Sequence, residues 1–262
     1  MYETQSTLCA SESNPCDLLG TSRADHRRMN LRQDFHVHST FSDGKGTLQE
    51  NLAVATAKGL RELGCVDHVR RDTLWVPEYV AAVAALRATT DIKISCGVEA
   101  KMLNCAGELD IPDLLAGVDH IYIADHQMPF GNTCLGPREV RELMIKNALT
   151  PSDVILALIT ATSNALRRHR NAVIAHLFSF LPKVGIDESQ VPEAQIVGLA
   201  NVAVQHQAIL EFDERWQCPG PRVKAIFAAH NVPMVASSDA HRPEEIGAYQ
   251  WMPTLYDVAI TP

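Results

Sequence analysis

Short apolar segments alternate with longer amphipathic segments through most of the chain, and this alternation limits the folds that are available to it. The short segments are rich in Val and Ile, as strands are, whereas the longer ones show helical spacing. Parallel strands need crossover connections, so the pattern predicts an α/β fold with a parallel sheet. The seven predicted strands lie at 33–37, 62–66, 92–98, 119–124, 172–175, 208–212 and 232–236. Seven such units favour a (β/α)7 barrel, one unit short of the TIM barrel, although an open doubly wound sheet fits nearly as well.

Capping residues mark where the intervening helices begin and end. Thr47 and Glu50 have the spacing of a capping box, and Gly59 fits the C-terminal end of the helix that they begin. Pro77 suits the first turn of a second helix, since its missing N–H has no partner there. The further predicted helices lie at 137–148, 151–169 and 190–205, and between Pro219 and His230.

Length and composition allow one large domain. The chain has 262 residues, of which 46% are hydrophobic, and a single α/β barrel commonly has this size. Residues 1–30 are polar and show no periodicity, so they are predicted to form a tail or loosely docked arm before one domain at 31–262. The tail lacks the apolar region of a signal peptide, and no run reaches the roughly 18 apolar residues that a membrane helix needs.

Charge and cysteine content narrow the expected partners and compartment. The formal net charge of −8 argues against a basic nucleic-acid-binding face, so neither a stable nucleic-acid partner nor a membrane partner is expected. The same charge is compatible with a small phosphorylated substrate that is held by metal ions. The seven cysteines are scattered and form no Cys-x-x-Cys pair, which favours reduced cysteines in a cytoplasmic protein. The sequence leaves the oligomeric state open.

Every predicted strand delivers a histidine or an acidic residue at its C-terminal end. In parallel α/β folds that edge of the sheet carries the active site, whereas a purely structural role would favour apolar or capping residues there. Helix capping remains an alternative for the three aspartates Asp67, Asp125 and Asp213. In chain order the strand-end residues are His36, His38, Asp67, His68, Glu99, Asp125, His126, His176, Glu211, Asp213, Asp239 and His241.

The spacing within two of these groups predicts a metal site. His36 and His38 are two residues apart, so on an extended strand they point to the same side, and Asp239 and His241 repeat that spacing. Imidazole and carboxylate together suit zinc, manganese or iron better than calcium or magnesium. One His-x-His pair is weak evidence, but two such pairs, about 200 residues apart and each closing an apolar strand, strengthen it.

The segment His36-Val37-His38-Ser39-Thr40-Phe41-Ser42-Asp43-Gly44 resembles the opening motif of the PHP family, which is named for polymerase and histidinol phosphatase. Similar to its later motifs are Val66-Asp67-His68, Gly97-Val98-Glu99, Asp125-His126, Ala175-His176 and Ser238-Asp239-Ala240-His241. The resemblance covers about residues 33–248 and is to the stand-alone, histidinol-phosphatase-like members. It implies a distorted seven-stranded (β/α)7 barrel of the PHP type with two or three divalent metal ions.

The resemblance also implies a set of ligands for each metal. His36, His38, Glu99 and Asp239 match the ligands of one metal. Glu99 bridges to a second, which His126 and His176 complete. Asp43, His68 and His241 match the ligands of a third, so all nine positions hold residues that can bind metal. The fourth motif departs from the family pattern, because Asp125 stands before His126, and Asp125 is therefore a candidate hydrogen-bond partner for a ligand imidazole.

The function implied by the resemblance is metal-dependent hydrolysis of a small phosphomonoester. Two metals would lower the pKa of a bridging water and hold the resulting hydroxide in line with phosphorus. Catalytic roles are expected for Glu99, Asp239, His241 and His68, and the proton for the leaving alkoxide is expected from His241, His68 or Asp43. Arg242 is the first candidate to clamp the phosphate, followed by Arg70 and Lys101, with ordinary surface charge as the alternative.

Two other functions stay open at this stage. The same site is compatible with other metallohydrolase chemistry, such as phosphodiester, nucleotide or C–N bond hydrolysis, because a fold does not fix a reaction. A non-catalytic metal-binding scaffold is the third reading, and the complete ligand set argues against it. Glu211 stands outside that set, and either a polar lining role or a structural hydrogen bond fits its position at a strand end.

Overall fold

The computed structural model describes residues 30–257, so the tail predicted at 1–30 lies, except for Asn30, outside the described residues. The strands are β1 Gln33–Val37, β2 Glu62–His68, β3 Lys93–Lys101, β4 His120–Ala124, β5 Met128–Phe130, β6 Thr133–Leu135, β7 Val173–Ile174, β8 Ile209–Asp213 and β9 Met234–Ser237. The helices are α1 Leu48–Ala57, α2 Val76–Arg87, α3 Pro137–Ile145, α4 Pro151–Arg168, α5 Phe180–Lys183, α6 Glu193–Gln205, α7 Pro221–Ala229 and α8 Thr254–Asp257. Short 3₁₀ helices lie at Glu188–Gln190 and Pro243–Glu245.

Seven parallel strands form a ring in the order β1-β2-β3-β4-β7-β8-β9. The ring closes at a parallel bridge between Val37 and Ala240, which follows β9. There the His38 N–H donates to the Ala240 carbonyl at 2.9 Å, and the Ala240 N–H donates to the His36 carbonyl at 3.2 Å. The predicted seven-stranded barrel is therefore confirmed, and the open doubly wound sheet is excluded.

The predicted elements are found, with changes at their ends. The capping box of α1 is present, since the Glu50 N–H donates to Thr47 Oγ1 at 3.2 Å and the Thr47 N–H donates to Glu50 Oε2 at 2.8 Å. β2 continues to His68 and β3 to Lys101, beyond the predicted ends at 66 and 98, because parallel pairing with neighbouring strands carries them on. The β5–β6 hairpin was not predicted, since strands of three residues are too short to show an alternating pattern.

Aromatic and aliphatic side chains fill the interior of the barrel. The Tyr122 ring lies against Gly97 of β3, where an added Cβ would come within 2.6 Å of that ring. The Tyr122 hydroxyl donates to the Phe35 carbonyl at 2.5 Å, so the ring cannot move aside without losing this bond. The buried cluster comprises Phe35, Val66, Tyr122, Ala124, Val173, Ala175, Ile209 and Val235, drawn from six of the seven strands or the residue directly after one.

Helices cover the outside of the barrel and form the larger part of the core with the outward faces of the strands. Leu52, Tyr79, Leu158, Leu199 and Phe227 belong to this buried cluster and come from α1, α2, α4, α6 and α7. Within residues 30–257, none of the helices has both the length and the apolar composition that a membrane span requires.

The packing inside the barrel yields a stability prediction. We expect Gly97→Ala to lower the free energy of unfolding by about 1–3 kcal/mol, because the new methyl group overlaps the fixed Tyr122 ring. Gly198→Ala in α6 is the matched control, since no atom lies within 4 Å of its added Cβ and alanine favours helix. Urea unfolding of both variants measures the difference, and equal stability of the two would contradict this account of the core.

Candidate metal centre

A buried aspartate at the end of β2 shapes the loop that follows β1. Asp67 accepts the Ser39 N–H at 2.9 Å, the Ser39 hydroxyl at 2.6 Å and the Ser42 hydroxyl at 2.5 Å. Burial raises the pKa of Asp67 to about 6, although these hydrogen bonds lower it. The loop turns tightly, because a Cβ on Gly44 would lie 2.5 Å from the His38 carbonyl carbon. Asp67 is thus a loop anchor, and the fold of the loop carries Asp43 back toward the barrel.

Five imidazoles surround the carboxylate of Glu99, which is almost fully buried at the centre of the site. Glu99 Oε1 lies 2.9 Å from His176 Nε2 and 3.1 Å from His126 Nε2. Glu99 Oε2 lies 2.7 Å from His68 Nδ1. The Nε2 atoms of His36 and His38 each lie 3.6 Å from the same oxygen. Glu99 was predicted to bridge two metal ions, and its carboxylate indeed faces histidines from both of those predicted ligand sets.

Asp239 and Asp43 form the other side of the centre. Asp239 Oδ1 lies 3.1 Å from His38 Nε2 and 3.4 Å from His241 Nδ1. Asp43 Oδ2 lies 3.6 Å from His68 Nε2 and 3.5 Å from His241 Nε2. Asp43 Oδ1 lies 3.8 Å from His38 Nδ1. The closure of the barrel thus brings the first and last motifs of the chain into contact.

The donor set fits divalent metal ions. Among residues 30–257, the buried atoms His36 Nε2 and His38 Nδ1 have no hydrogen-bond partner, and an unpaired buried polar atom costs about 1–3 kcal/mol. Three groups of side chains place one ligand atom each within 4.8 Å of one another and draw on the predicted ligands. They are His36, His38 and Asp239; His68, Glu99 and His126; and His38, Asp43, His68 and His241. Imidazole and carboxylate ligands in this mixture suit zinc, manganese or iron.

These groups differ in detail from the sets that the sequence indicated. All nine predicted ligands lie at the centre, but His68 shares a group with Glu99 and His126, where His176 was expected. His176 instead contacts Glu99 Oε1 directly. His38 belongs to two groups because each of its ring nitrogens faces a different carboxylate. A further group, His36, Glu211 and Asp213, lies behind the first and is fully buried.

Glu211 contacts two of the predicted ligand histidines. Its Oε1 lies 2.8 Å from His36 Nδ1, and its Oε2 accepts the His176 backbone N–H at 2.7 Å. For His36 Nε2 to offer a lone pair to a metal, Nδ1 must carry the proton and donate it to Glu211. The sequence allowed Glu211 either to line the cavity or to form a structural hydrogen bond. Glu211 is fully buried and does not line the cavity, so its role is the structural hydrogen bond.

Asp125 holds the second of these histidines from the opposite side. Asp125 Oδ1 lies 3.3 Å from His176 Nδ1 and accepts the Ser179 hydroxyl at 2.6 Å. Asp125 Oδ2 accepts the Phe180 N–H at 3.3 Å. The position of Asp125 therefore matches the hydrogen-bonding role that the sequence suggested for it.

Burial and charge set the protonation of the central groups. Burial alone would raise the pKa of Glu99, but the imidazoles of His126, His68 and His36 outweigh it and hold that pKa well below its ordinary range. Burial lowers the pKa of His38 to about 4, against the raising effect of Asp239 and Glu99. Burial lowers the pKa of His36 and of His176, but the carboxylates beside them outweigh it and raise both pKa values well above the ordinary range. A metal ion bound by these imidazoles must therefore displace protons from them.

The centre opens into a cavity of about 530 Å³. Six of the predicted ligands line it, namely Asp43, His68, Glu99, His126, Asp239 and His241. Of the predicted phosphate-binding residues, Arg70 and Lys101 line the cavity. Arg242 does not, and its guanidinium lies 4.0 Å from the Glu244 carboxylate on the exposed surface.

Sequence reasoning missed Arg215, which lines the cavity two residues beyond β8. Its NH1 atom donates to the Asp239 carbonyl at 3.2 Å and lies 2.9 Å from His241 Nδ1. Trp216 beside it donates its indole N–H to Asp239 Oδ2 at 2.9 Å. The only available signal for Arg215 was its position just after a strand end that carries Glu211 and Asp213.

The family model of the PHP domain matches residues 34–188, and that of the PHP-associated region matches residues 221–251. The chain belongs to the PHP family. The two matches together include all nine of the predicted ligands of this PHP protein. No curated protein sequence matches the chain.

Two solved structures share the fold of this PHP protein. One is the presumed histidinol phosphatase HisK of Listeria monocytogenes, with a TM-score of 0.63, 14% identity, and coverage of 82% of this chain and 97% of that one. The other is the histidinol phosphate phosphatase HisK of Lactococcus lactis subsp. lactis, which was solved with zinc, L-histidinol and phosphate. It has a TM-score of 0.62 and 18% identity over 86% of this chain and 92% of that one.

The double contact of Glu211 predicts that its amide analogue weakens metal binding. A Gln side chain offers one carbonyl oxygen to two N–H donors, so either His36 or the His176 backbone faces its NH₂ group. We expect Glu211→Gln to bind Zn²⁺ or Mn²⁺ about 10- to 100-fold more weakly, as measured by competition with a chromophoric chelator. Glu62→Gln, at the opposite end of the barrel beside Lys93, is the matched control. Parental affinity in a folded Glu211→Gln protein would contradict the role assigned to this contact.

Proposed function

We propose that this PHP protein is a metal-dependent phosphoesterase that hydrolyses a small phosphorylated metabolite. The observation that carries the proposal is the convergence of five imidazoles on Glu99 at the floor of an open cavity. Two buried imidazole nitrogens, on His36 and His38, have no hydrogen-bond partner among residues 30–257. Net hydrolysis adds water to phosphorus and breaks the ester P–O bond, and the departing alkoxide takes up a proton. The products are an alcohol and inorganic phosphate.

The nine predicted ligands are the residues that would hold two or three divalent ions. We assign His36, His38, Asp239 and Glu99 to one ion, and Glu99, His126 and His176 to a second. Asp43, His68 and His241 are assigned to a third. Zinc, manganese or iron bound here would supply Lewis-acid activation of a water molecule and positive charge for the phosphoryl oxygens.

The remaining work falls to side chains at the cavity wall. Arg215 lies beside Asp239 and His241, so its guanidinium is placed to contact the phosphate that reacts at the centre. His68 and His241 reach the cavity with 33% and 21% of their side chains exposed. In the form with two bound ions, where neither of them binds metal, either can pass a proton to the leaving alkoxide. Glu99 and Asp239 lie at the floor of the cavity, where their carboxylates contact and orient the imidazoles of His176 and His38.

The domain and compartment assignments complete the proposal. We infer that residues 31–262 form one PHP-type unit that follows an N-terminal tail or arm at 1–30. The five cysteines within residues 30–257 are all free thiols, which supports a reducing compartment such as the cytoplasm.

Phosphate release tests the proposed function. Protein purified without chelator and supplied with Mn²⁺, Zn²⁺ or Fe²⁺ is expected to release phosphate from at least one member of a broad panel of phosphorylated metabolites. The double substitution His36→Ala, His38→Ala is expected to reduce that rate by at least about 100-fold, because it removes two imidazoles from the centre. A chelator is expected to abolish release and added metal to restore it.

His169→Ala is the control for loss of a histidine, since His169 lies at the C-terminal cap of α4 and outside the cavity lining. It should retain the parental rate. If protein shown to hold two or three metal ions released no phosphate from any compound, the phosphoesterase proposal would fail. Activity on amides or phosphodiesters under the same conditions would then identify the chemistry of the centre.

A further inference from the structure

The negatively charged residues of the cavity lie at the proposed metal centre, whereas the other charged residues that line the cavity are positive. The carboxylates that line the cavity are Asp43, Glu99 and Asp239, and all three belong to the proposed ligand set. The charged lining residues outside that set are Arg70, Lys101 and Arg215, which are all cations. Within the described part of the chain, the cavity wall therefore offers no uncommitted carboxylate to a positively charged substrate group.

These cations lie on two opposite walls. Arg70 follows β2 and Lys101 ends β3, and these two strands are neighbours in the barrel. Arg215 follows β8, which is separated from β2 by β1 and β9 and from β3 by β4 and β7. One phosphate held at the centre beside Arg215 therefore leaves the cations of the other wall facing a different part of the substrate.

The Arg70 side is open to a ligand. Among residues 30–257, no hydrogen bond or salt bridge is formed by the Arg70 guanidinium, and this residue is exposed. Its backbone N–H donates to Thr73 Oγ1 at 2.8 Å, and Thr73 also lines the cavity. Lys101 Nζ lies 3.6 Å from Asp110 Oδ2, so its charge is shared with one carboxylate. Arg70 is consequently the main unpaired charge on this wall, and Lys101 supports it.

We propose that the phosphoester substrate carries a second anionic group, a carboxylate or a phosphate, which Arg70 and Lys101 bind across the cavity from Arg215. The proposal rests on the phosphoesterase function given above and defines its substrate class. A guanidinium and an ammonium together recognise an anion through charge-assisted hydrogen bonds. A leaving group with a protonated amine would place a cation against these two cations, and it is expected to be a poor substrate.

A matched series of aryl phosphates tests the substrate class. The 4-(carboxymethyl)-, 4-(hydroxymethyl)- and 4-(aminomethyl)phenyl phosphates share one reacting bond and differ in the charge of a distant group. A fourth ester with a phosphonomethyl group separates a carboxylate preference from a general preference for anions. We expect kcat/KM to fall from anionic to neutral to cationic ester, with about a tenfold advantage of the carboxymethyl over the hydroxymethyl compound.

Substitution of Arg70 and Lys101 tests whether these two residues cause the preference for an anionic ester. In Arg70→Gln, Lys101→Gln the ratio of kcat/KM for the carboxymethyl and hydroxymethyl esters should fall toward one. Arg61→Gln is the matched control, because Arg61 directly precedes β2 at the opposite end of the strand that Arg70 follows, and it should keep the parental ratio. The ratio is insensitive to changes in metal loading, since both esters react at the same centre.

The possible outcomes separate failure of the second-anion site from failure of the phosphoesterase proposal. Hydrolysis of all the esters at equal kcat/KM, or an anion preference that survives in the double variant, would overturn the second-anion site and leave the phosphoesterase intact. A higher kcat/KM for the aminomethyl ester would also overturn the second-anion site, because it would show a preference for a cationic substrate group. If metal-loaded protein released no phosphate from any of these esters or from any compound of the metabolite panel, the proposed function would be overturned, and the second-anion site with it.

Discussion

The Glu99 carboxylate is the interaction on which the centre depends. It is almost fully buried, and its two oxygens face imidazoles from β1, from β2 and from the loops after β1, β4 and β7. An ionised carboxylate in such a place requires positive charge or strong donors close by. Because the ligands around it come from strands far apart in sequence, the barrel must be closed before the charge of Glu99 is compensated. Folding of the barrel and assembly of the centre are in this sense one event.

Further buried carboxylates hold the segments that carry the predicted ligands in position. Asp67 fixes the loop that carries Asp43, and Asp34 accepts the Ser238 N–H at 2.9 Å and its hydroxyl at 2.6 Å, beside Asp239. Asp125 and Glu211 hold His176 from its ring and from its backbone. Each of these acids joins two strands or loops, so the imidazoles are oriented by hydrogen bonds as well as by packing. The orientation of one ligand consequently depends on acids from neighbouring strands.

The sequence was informative wherever strand periodicity decides position. The ends of parallel strands meet at one edge, so residues such as His36, Glu99 and Asp239 could be brought together from their places in the pattern alone. The loops beyond those ends follow no such periodicity. Arg242 stands next to the predicted ligand His241 in sequence but lies on the exposed surface, whereas Arg215 contacts His241 through a turn that the pattern does not predict. The role of Glu211 likewise depended on which neighbouring donors faced its carboxylate, namely the His36 ring and the His176 backbone N–H.

Backbone conformation at two ligands shows how the barrel edge gives its side chains their direction. His176 and Asp239 both have positive φ, at 31° and 51°, and each follows the end of a strand. Such conformations cost on the order of 1 kcal/mol or more for residues other than glycine, and they persist only where surrounding contacts enforce them. At His176 the enforcing contacts are Glu211 on the backbone N–H and Asp125 on the ring. At Asp239 they are the Arg215 guanidinium on the carbonyl and the Trp216 indole on the carboxylate. The chain therefore leaves the regular strand where a side chain must turn toward the centre, and buried polar contacts stabilise that departure.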